Sequence, residues 1–390
     1  MKALVIGSGL MGSALAFDLA RSGGVEEVTL ADINLDRARE TAAKIGSPKV
    51  RTVAIDVDYF DNVIELMAGP DCVFGAVSFR HNFLLTKAAI EAGVHFCDLG
   101  GNDEIVMKQR SLDSKAKAAG VAIVPNCGLA PGLANILAAR GAESFESVER
   151  IRLRVGGLPQ HPKPPLNYQL LFSVEGLLNE YIGQATILRE GKVTYVDTMT
   201  EVETIEFPPP IGRLEAFHTS GGSSFLPQMF EGRVRDLDYK TLRYPGHCER
   251  FKTLLEIGFA SEEPIAVGSN LMTAREMFSE LLRRKLESTG NDVVILEVEI
   301  VGVQDGRERT LTFGLVDSYD ENDNITAMMR CTAFPTSIIG QMIVNGNILA
   351  RGVATPEQCV PLEPFLSELR GRKIDVVQRV TEARRQETSS

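Results

Sequence analysis

Close to its start the chain reads Gly7-Ser8-Gly9-Leu10-Met11-Gly12, three glycines spaced as GxGxxG directly behind the apolar run Ala3 to Ile6. In a strand-to-helix turn each glycine has its own task. Gly7 permits the tight turn, Gly9 lets the backbone approach a pyrophosphate, and Gly12 lets the following helix pack closely on the sheet. The open N–H groups at that helix's start then supply donors and partial positive charge to the phosphates. A second run ends in Asp32, twenty residues after Gly12, the spacing of a carboxylate that accepts a ribose 2′-hydroxyl. Its charge repels a 2′-phosphate, which favours NAD over NADP, although Arg37 and Arg39 place cations close by. Other reactive side chains stand at strand ends or in loops: Asp98, Cys127, His218, Arg243 and His247. Each also has a plain reading, as a helix cap, a small core residue, a surface charge or a loop residue.

The elements that must position these residues are legible in outline. Apolar runs at Ala3–Ile6, Val28–Ala31, Val50–Ile55, Cys72–Val77, His95–Asp98 and Val121–Val124 read as strands. Helical patterns at Leu10–Arg21, Leu35–Ile45, Asp61–Met67, Asn82–Ala92 and Glu104–Ala119 separate them. Such alternation predicts βαβ units, a parallel sheet and an α/β Rossmann fold. From about Ser147 the texture changes. Ile151–Val155 and Val293–Val301 alternate at period two, as antiparallel strands do, among Gly- and Pro-rich connections. Helices are expected at Val174–Tyr181 and Ala274–Leu286, so the second part is an α+β domain with a mixed or antiparallel sheet. Asp317 to Asn324 reads as a hairpin turn, another helix is expected from Pro335 to about Ile343, and the charged tail after Val377 is expected to fray.

Bulk properties narrow the function classes. With 52 acidic against 41 basic residues the net charge is −11, which disfavours nucleic acid and anionic membranes as partners. The six cysteines, Cys72, Cys97, Cys127, Cys248, Cys331 and Cys359, show no CxxC and no pairing pattern. They read as reduced thiols of a cytoplasmic protein, without a metal site.

The residues as a set resemble the saccharopine dehydrogenase-like oxidoreductases. The resemblance runs nearly end to end. It is carried by VIGSGLMG (Val5–Gly12), HFCDLGG (His95–Gly101) and PNCGLAPGLANILA (Pro125–Ala138) in the first part. In the second part it is carried by VGGLP (Val155–Pro159), FSVEGLLNEY (Phe172–Tyr181), LEAFHTSGGSS (Leu214–Ser224) and YKTLRYPGH (Tyr239–His247). It implies a discontinuous Rossmann domain, 1–142 with 333–390, around a substrate and dimerisation domain, 143–332, and a homodimer formed through the latter. The implied reaction is NAD-dependent oxidation of an amino-acid amine, in its leading form the deamination of L-lysine at the ε-carbon. A saccharopine-type or other amino-acid or diamine substrate is the alternative within the fold. A regulatory protein that senses NAD without turnover is the alternative outside catalysis.

Amine oxidation asks the protein to position the reacting carbon, accept a proton and control water. Asp98 lies where the ligand crevice of an open α/β sheet is expected; related reductases place an acid there, so it is a candidate to hold the ammonium. Cys127 matches a cysteine that those reductases carry near the nicotinamide, with Asn126 and Pro131 shaping the same loop. Ser78 and Phe79 follow the fourth strand and are expected beside the nicotinamide; the reductases have a Tyr in this region, so a tyrosine proton role is in doubt and His81 is a substitute. Arg243 is the candidate for the substrate carboxylate, since a guanidinium grips it with two parallel hydrogen bonds. Lys240 and Tyr244 are secondary candidates. His218, with Thr219 and Ser220, lies in a polar loop that can close over a site, and His247 is a candidate base. Glu175 can neutralise an α-ammonium or simply favour a helix start. A second carboxylate-binding arginine, with Arg213, Arg233 and Arg235 in view, would favour a saccharopine-type substrate.

Overall fold

The computed structural model describes residues 1–268, 270–286 and 290–382. Its first part is β1 (Lys2–Ile6), α1 (Leu10–Arg21), β2 (Glu27–Asp32), α2 (Leu35–Ile45), β3 (Val50–Ala54), α3 (Phe60–Met67), β4 (Cys72–Gly75), α4 (Asn82–Ala92), β5 (His95–Asp98), α5 (Asp103–Arg110), α6 (Asp113–Ala118), β6 (Ala122–Val124) and α7 (Leu133–Ala142). A second part follows, with β7 (Ser147–Pro159), α8 (Val174–Tyr181), β8 (Gln184–Arg189), β9 (Lys192–Asp197), β10 (Glu203–Glu206), β11 (Arg213–His218), α9 (Leu226–Phe230), β12 (Asp236–Arg243), α10 (His247–Ile257), β13 (Pro264–Val267), β14 (Asn270–Thr273), α11 (Ala274–Lys285), β15 (Asp292–Gln304) and β16 (Arg307–Ser318). The chain ends through α12 (Ala327–Val344), β17 (Gly352–Val353), α13 (Pro356–Cys359), α14 (Leu362–Gly371) and β18 (Val377–Glu382).

The first sheet is parallel, in the order β17-β6-β5-β4-β1-β2-β3. Its interior strand β1 pairs on one side with β2, Val5 opposite Leu30, and on the other with β4, Val5 opposite Phe74. Strand order therefore reverses between β1 and β4, which opens a crevice at their carboxyl ends. The expected βαβ alternation is the fold. The second sheet is mixed. Long strands β7 and β15 run antiparallel, with Leu153 opposite Val298, while β12 lies parallel to β7, with Tyr239 opposite Leu153.

Four local expectations need correction. The helix expected over Glu104–Ala119 is two, because Ser111 turns its hydroxyl back to the Lys108 carbonyl at 2.6 Å, a local bond that competes with the helix ladder. The segment Asp317–Asn324 does not join two strands. Asp320 accepts the N–H groups of Asn322 and Asp323 and bridges to Ile325, and the chain runs directly into a helix. That helix, α12, starts at Ala327 and carries Pro335 inside it. Interior proline costs roughly 3 kcal/mol, but the helix is buried along most of its length, and packing against α1, β4 and β5 outweighs the loss. Finally, residues 377–382 do not fray: β18 pairs with β16 at the edge of the second sheet, so this part of the tail joins that sheet and not the first one.

One hydrophobic core runs from Val5 and Leu15 through Ile136 and Leu153 to Ile300 and Phe313, crossing both parts. The approach is close: a Cβ on Gly141 of α7 would stand 2.6 Å from both Ile300 and the Phe313 ring. No helix among the described residues is long and apolar enough to cross a membrane.

Candidate active-site cleft

A cleft of about 900 Å3 opens between the carboxyl ends of the parallel strands and the second sheet. At one end it is lined by Gly7, Gly9, Leu10, Met11 and Asp32, in the middle by Ser78, Phe79, Leu99, Gly100 and Pro131, and at the other end by Phe172, Glu180, Tyr239, Thr241 and Arg243.

The glycine turn has the form its spacing predicts. Gly7 sits at φ +104°, a region side chains rarely adopt, and a Cβ there would lie 2.5 Å from the Ala76 carbonyl oxygen. A Cβ on Gly12 would fall 1.8 Å from the Gly7 oxygen. Gly9 differs: nothing lies within 4 Å of where its Cβ would be. It faces the open cleft, where a pyrophosphate needs room. Gly9 also caps α1 without a side-chain bond, and the first turn holds no acidic residue, so the positive helix end is not neutralised. Asp32, nearly buried, accepts the Ser8 N–H at 2.6 Å and hydroxyl at 2.8 Å, the Asn34 N–H at 2.8 Å, and Arg37 Nη2 on both oxygens at 2.8 and 2.7 Å. Burial alone would raise its pKa, but the bonds from Ser8, Arg37 and Asn34 outweigh it and hold the carboxyl below its usual range. Open cradle, uncapped helix and ribose-side carboxylate together fit a nicotinamide dinucleotide, with its nicotinamide end toward Ser78, Phe79 and Leu99.

At the far end Arg243 is 3% exposed yet lines the cleft. Its guanidinium lies over the Tyr168 ring, 4.7 Å from the centroid, a face that attracts cations. Nε donates to the Tyr181 hydroxyl at 2.8 Å and Nη1 to the Leu242 carbonyl at 2.9 Å. Behind it the chain of bonds has one direction. Since the Leu166 carbonyl only accepts, His247 Nδ1 must donate to it, at 2.9 Å. His247 Nε2 is then the acceptor for Tyr181, at 3.0 Å. Burial, reinforced by the neighbouring Arg243 charge, pulls the His247 pKa down to about 3, so the ring stays neutral. Glu180 Oε2 stands 3.8 Å from Arg243 Nη2, with about a quarter of the side chain open to the cleft. Burial pushes its pKa up to about 7 against the pull of Arg243.

The structure divides the sequence candidates sharply. Gly7, Gly9, Leu10, Met11, Asp32, Ser78, Phe79, Pro131, Ser220 and Arg243 line the cleft; Ser8 and Gly12 support it from behind. Asp98 does not reach it. The side chain is fully buried, and its oxygens accept from Gly100 N–H at 2.7 Å and Gln109 Nε2 at 2.6 Å. Cys127 is also fully buried, its thiol donating to the Val124 carbonyl at 3.0 Å, and burial lifts its pKa to about 11; a thiolate nucleophile is not formed there. His218 is buried between the Tyr239 carbonyl and Glu201. His247 stands behind Arg243 and not in the cleft. Lys240 donates to the Glu201 carbonyl and Tyr244 to the Pro159 carbonyl, both away from the cleft. Glu175 lines the mouth but is paired with Arg275 at 2.8 Å. Arg213 and Arg235 form surface ion pairs and Arg233 packs over Phe230. Sequence reasoning missed Glu180, Tyr181, Tyr168 and Tyr239. The signal was present for one of them: in α8 the buried stripe Val174, Leu177, Leu178 and Tyr181 has helical spacing and turns Tyr181 inward.

A doubly wound parallel sheet with this turn, this acid and a cleft closed by a second sheet defines an oxidoreductase built to bind a nicotinamide dinucleotide. The chain belongs to the saccharopine dehydrogenase family: residues 3–124 match the saccharopine dehydrogenase NADP binding domain and residues 128–374 the saccharopine dehydrogenase C-terminal domain. It is 22% identical to the carboxyaminopropylagmatine dehydrogenase of Synechocystis sp., over 94% of this chain and 95% of that one. It is 25% identical to the saccharopine dehydrogenase [NADP(+), L-glutamate-forming] of Pyricularia oryzae, over 67% of this chain and 58% of that one. With the mitochondrial alpha-aminoadipic semialdehyde synthase of Rattus norvegicus it shares 22% identity over 96% of this chain and 47% of that one. The chain thus spans about half the length of the last two. Among solved structures, saccharopine dehydrogenase (L-Glu forming) from Saccharomyces cerevisiae superposes with a TM-score of 0.78 at 19% identity, covering 97% of this chain and 99% of that one.

Proposed function

We propose that the chain is an NAD-dependent amino-acid dehydrogenase that deaminates L-lysine at its ε-carbon, the reaction of a lysine 6-dehydrogenase. The observation that carries this reading is the Arg243–Glu180 pair at the inner end of the cleft. A buried guanidinium beside a carboxylate, 3.8 Å apart, matches the two charges of an α-amino acid: Arg243 takes the α-carboxylate and Glu180 the α-ammonium. Tyr181 and His247 hold the guanidinium in place, and the Tyr168 ring supports its face. The substrate side chain then extends along the apolar floor of Phe172, Leu99 and Pro131 toward the nicotinamide end. NAD, when bound, accepts the hydride. The released proton leaves to water in the open cleft, and water adds to the resulting imine. Atoms balance as amine, NAD+ and water giving semialdehyde, ammonia, NADH and one proton; the semialdehyde then closes on its own α-amine, with loss of water, to a six-membered imine. Asp32 supports NAD through its position at the ribose.

A second reading is a secondary-amine substrate with a further carboxylate. It is favoured by the names of the relatives and by Arg283, which lines the cleft although it is paired with Glu280 on its own helix. The test follows NADH absorbance with L-lysine, saccharopine, ornithine and ε-blocked lysine at mildly alkaline pH. Reduction with lysine and release of ammonia is the expected result. Turnover of saccharopine alone would select the second reading, and silence with every amine despite dinucleotide binding would overturn both.

A further inference from the structure

The Asp32 carboxylate is saturated. Four donor groups make five hydrogen bonds to it: the Ser8 backbone N–H, the Ser8 hydroxyl, the Asn34 N–H, and Arg37 Nη2, which reaches both oxygens. A carboxylate offers roughly four lone-pair sites. A ribose 2′-hydroxyl that is to be accepted by Asp32 must therefore displace a donor. Ser8 and Asn34 contribute backbone N–H groups fixed by the turn and by the start of α2, and the Ser8 hydroxyl belongs to a buried side chain whose oxygen already accepts Arg37 Nε. Arg37 is the donor that can move: its side chain is 52% exposed while Asp32 is 3% exposed, and it lines the cleft. Its Nε donates to Ser8 at 3.2 Å and its Nη2 holds Asp32; Nη1 has no hydrogen bond among the described residues. Arg39, the other cation near this strand end, is tied to Asp36 on the surface at 3.1 Å and does not line the cleft.

We infer that Arg37 is the residue that sets cofactor selectivity: it cancels the Asp32 charge and, displaced from that carboxylate, takes the 2′-phosphate, so that the site admits both NAD and NADP. The inference rests on the reading that the glycine turn holds a dinucleotide. Asp32 by itself would reject NADP by like-charge repulsion. With Arg37 bound across both oxygens the pair is neutral. A guanidinium that has swung off the carboxylate remains on the first turn of α2, beside the 2′ position, and its fork matches a phosphate as it matches a carboxylate. NAD and NADP thus draw on the two members of one ion pair.

The test is direct binding of NADH and NADPH to the full chain, by titration calorimetry or nicotinamide fluorescence, for the parent, Arg37→Ala, Arg37→Gln and Asp32→Asn. The parent is expected to bind the two with Kd values within about tenfold of each other. Both Arg37 variants are expected to lose about tenfold or more in NADPH affinity while NADH affinity changes less than about threefold, the size of one charge-assisted contact. Asp32→Asn is expected to shift the ratio toward NADPH. Arg37 is half exposed, so its variants are expected to fold, and two substitutions guard against one that does not. An NADPH-to-NADH ratio that both Arg37 variants leave unchanged would overturn the inference while leaving the cofactor reading intact. Failure of the parent to bind either dinucleotide would overturn the cofactor reading, and this inference with it.

Discussion

At the scale of single residues, the proposed chemistry concentrates on Glu180 and Arg243. Glu180 must be ionised to hold an ammonium, and burial sets its pKa near 7. The catalytic efficiency kcat/KM should therefore rise with pH through about 7 and level above it. Glu180→Gln should remove that inflection and raise KM for lysine by about ten- to a hundredfold, the cost of one hydrogen bond to a charged group; an unchanged pH profile would exclude Glu180 from substrate binding. Tyr181 acts through Arg243. Tyr181→Phe deletes the hydroxyl that accepts from Arg243 Nε and donates to His247, so steady-state kinetics should show KM raised roughly five- to tenfold with kcat little changed, because geometry is loosened without removing the charge. Cys127→Ala should keep near-parental turnover, since that thiol points at a carbonyl inside the core; loss of turnover in a folded variant would restore it to the site. The glycine turn and Asp32 were legible in the sequence because their tasks depend on local spacing. The inner end was not. Glu180 and Arg243 meet across 63 positions of chain on α8 and β12, and no spacing rule encodes such a meeting. Asp98, Cys127 and His218 misled for the same reason: being near a strand end or in a polar loop says nothing of which way a side chain turns.

At the scale of elements, β1 to β6 of the parallel sheet are legible within a residue or two, because strands buried on both faces are continuous apolar runs; the two-residue β17 at its edge carries no such run. Proline's usual place at a helix start points to a helix beginning at Pro335, whereas the first two turns of α12 are fixed by tertiary burial that the local pattern does not carry. Thr326 caps it, accepting the Met329 N–H at 3.1 Å, and a threonine ahead of an apolar run is the local mark of that start. The tail illustrates the opposite error. VQRVTE is exposed along its whole length, so it lacks the buried alternation that marks a strand. What makes it one is the edge of β16, against which it pairs from Gly314 opposite Val377 to Arg309 opposite Glu382. Ending the chain after Val376 should uncover that edge. Unpaired edges invite association with other chains, so the shortened protein is expected to aggregate on gentle heating and to melt earlier, while NADH binding, which depends on the other sheet, is retained. Unchanged melting and solubility would show that β18 contributes nothing to the sheet.

At the scale of the whole molecule, the question is whether two sheets make two folding units. A chain with a Rossmann sheet and an inserted second sheet is often described as two domains, and a boundary between them implies separate stability. The packing argues otherwise here. The same continuous core contains Val5 and Leu15 beside the dinucleotide turn and Leu153, Ile300 and Phe313 of the second sheet. Helix α7 lies close enough on β15 and β16 that Gly141 has no room for a side chain, and α12 touches strands of both sheets. Polar ties cross the cleft as well, from Asn102 to Asn179 at 2.8 Å and from Asn126 to Ser224 at 2.9 Å. Unfolding either sheet alone would expose the core face of the other, and apolar area costs about 25 cal/mol per Å2 when returned to water. Scanning calorimetry should therefore show one cooperative transition for the whole chain. Ligand binding to the native state raises stability in proportion to RT ln(1 + [L]/Kd), about 2.7 kcal/mol at a hundredfold excess over Kd. NADH, though it touches mainly the first sheet, should accordingly move that single transition upward as a unit. Two resolved transitions, with only one responding to NADH, would show instead that the shared core does not couple the sheets and that the cleft between them is a true domain boundary.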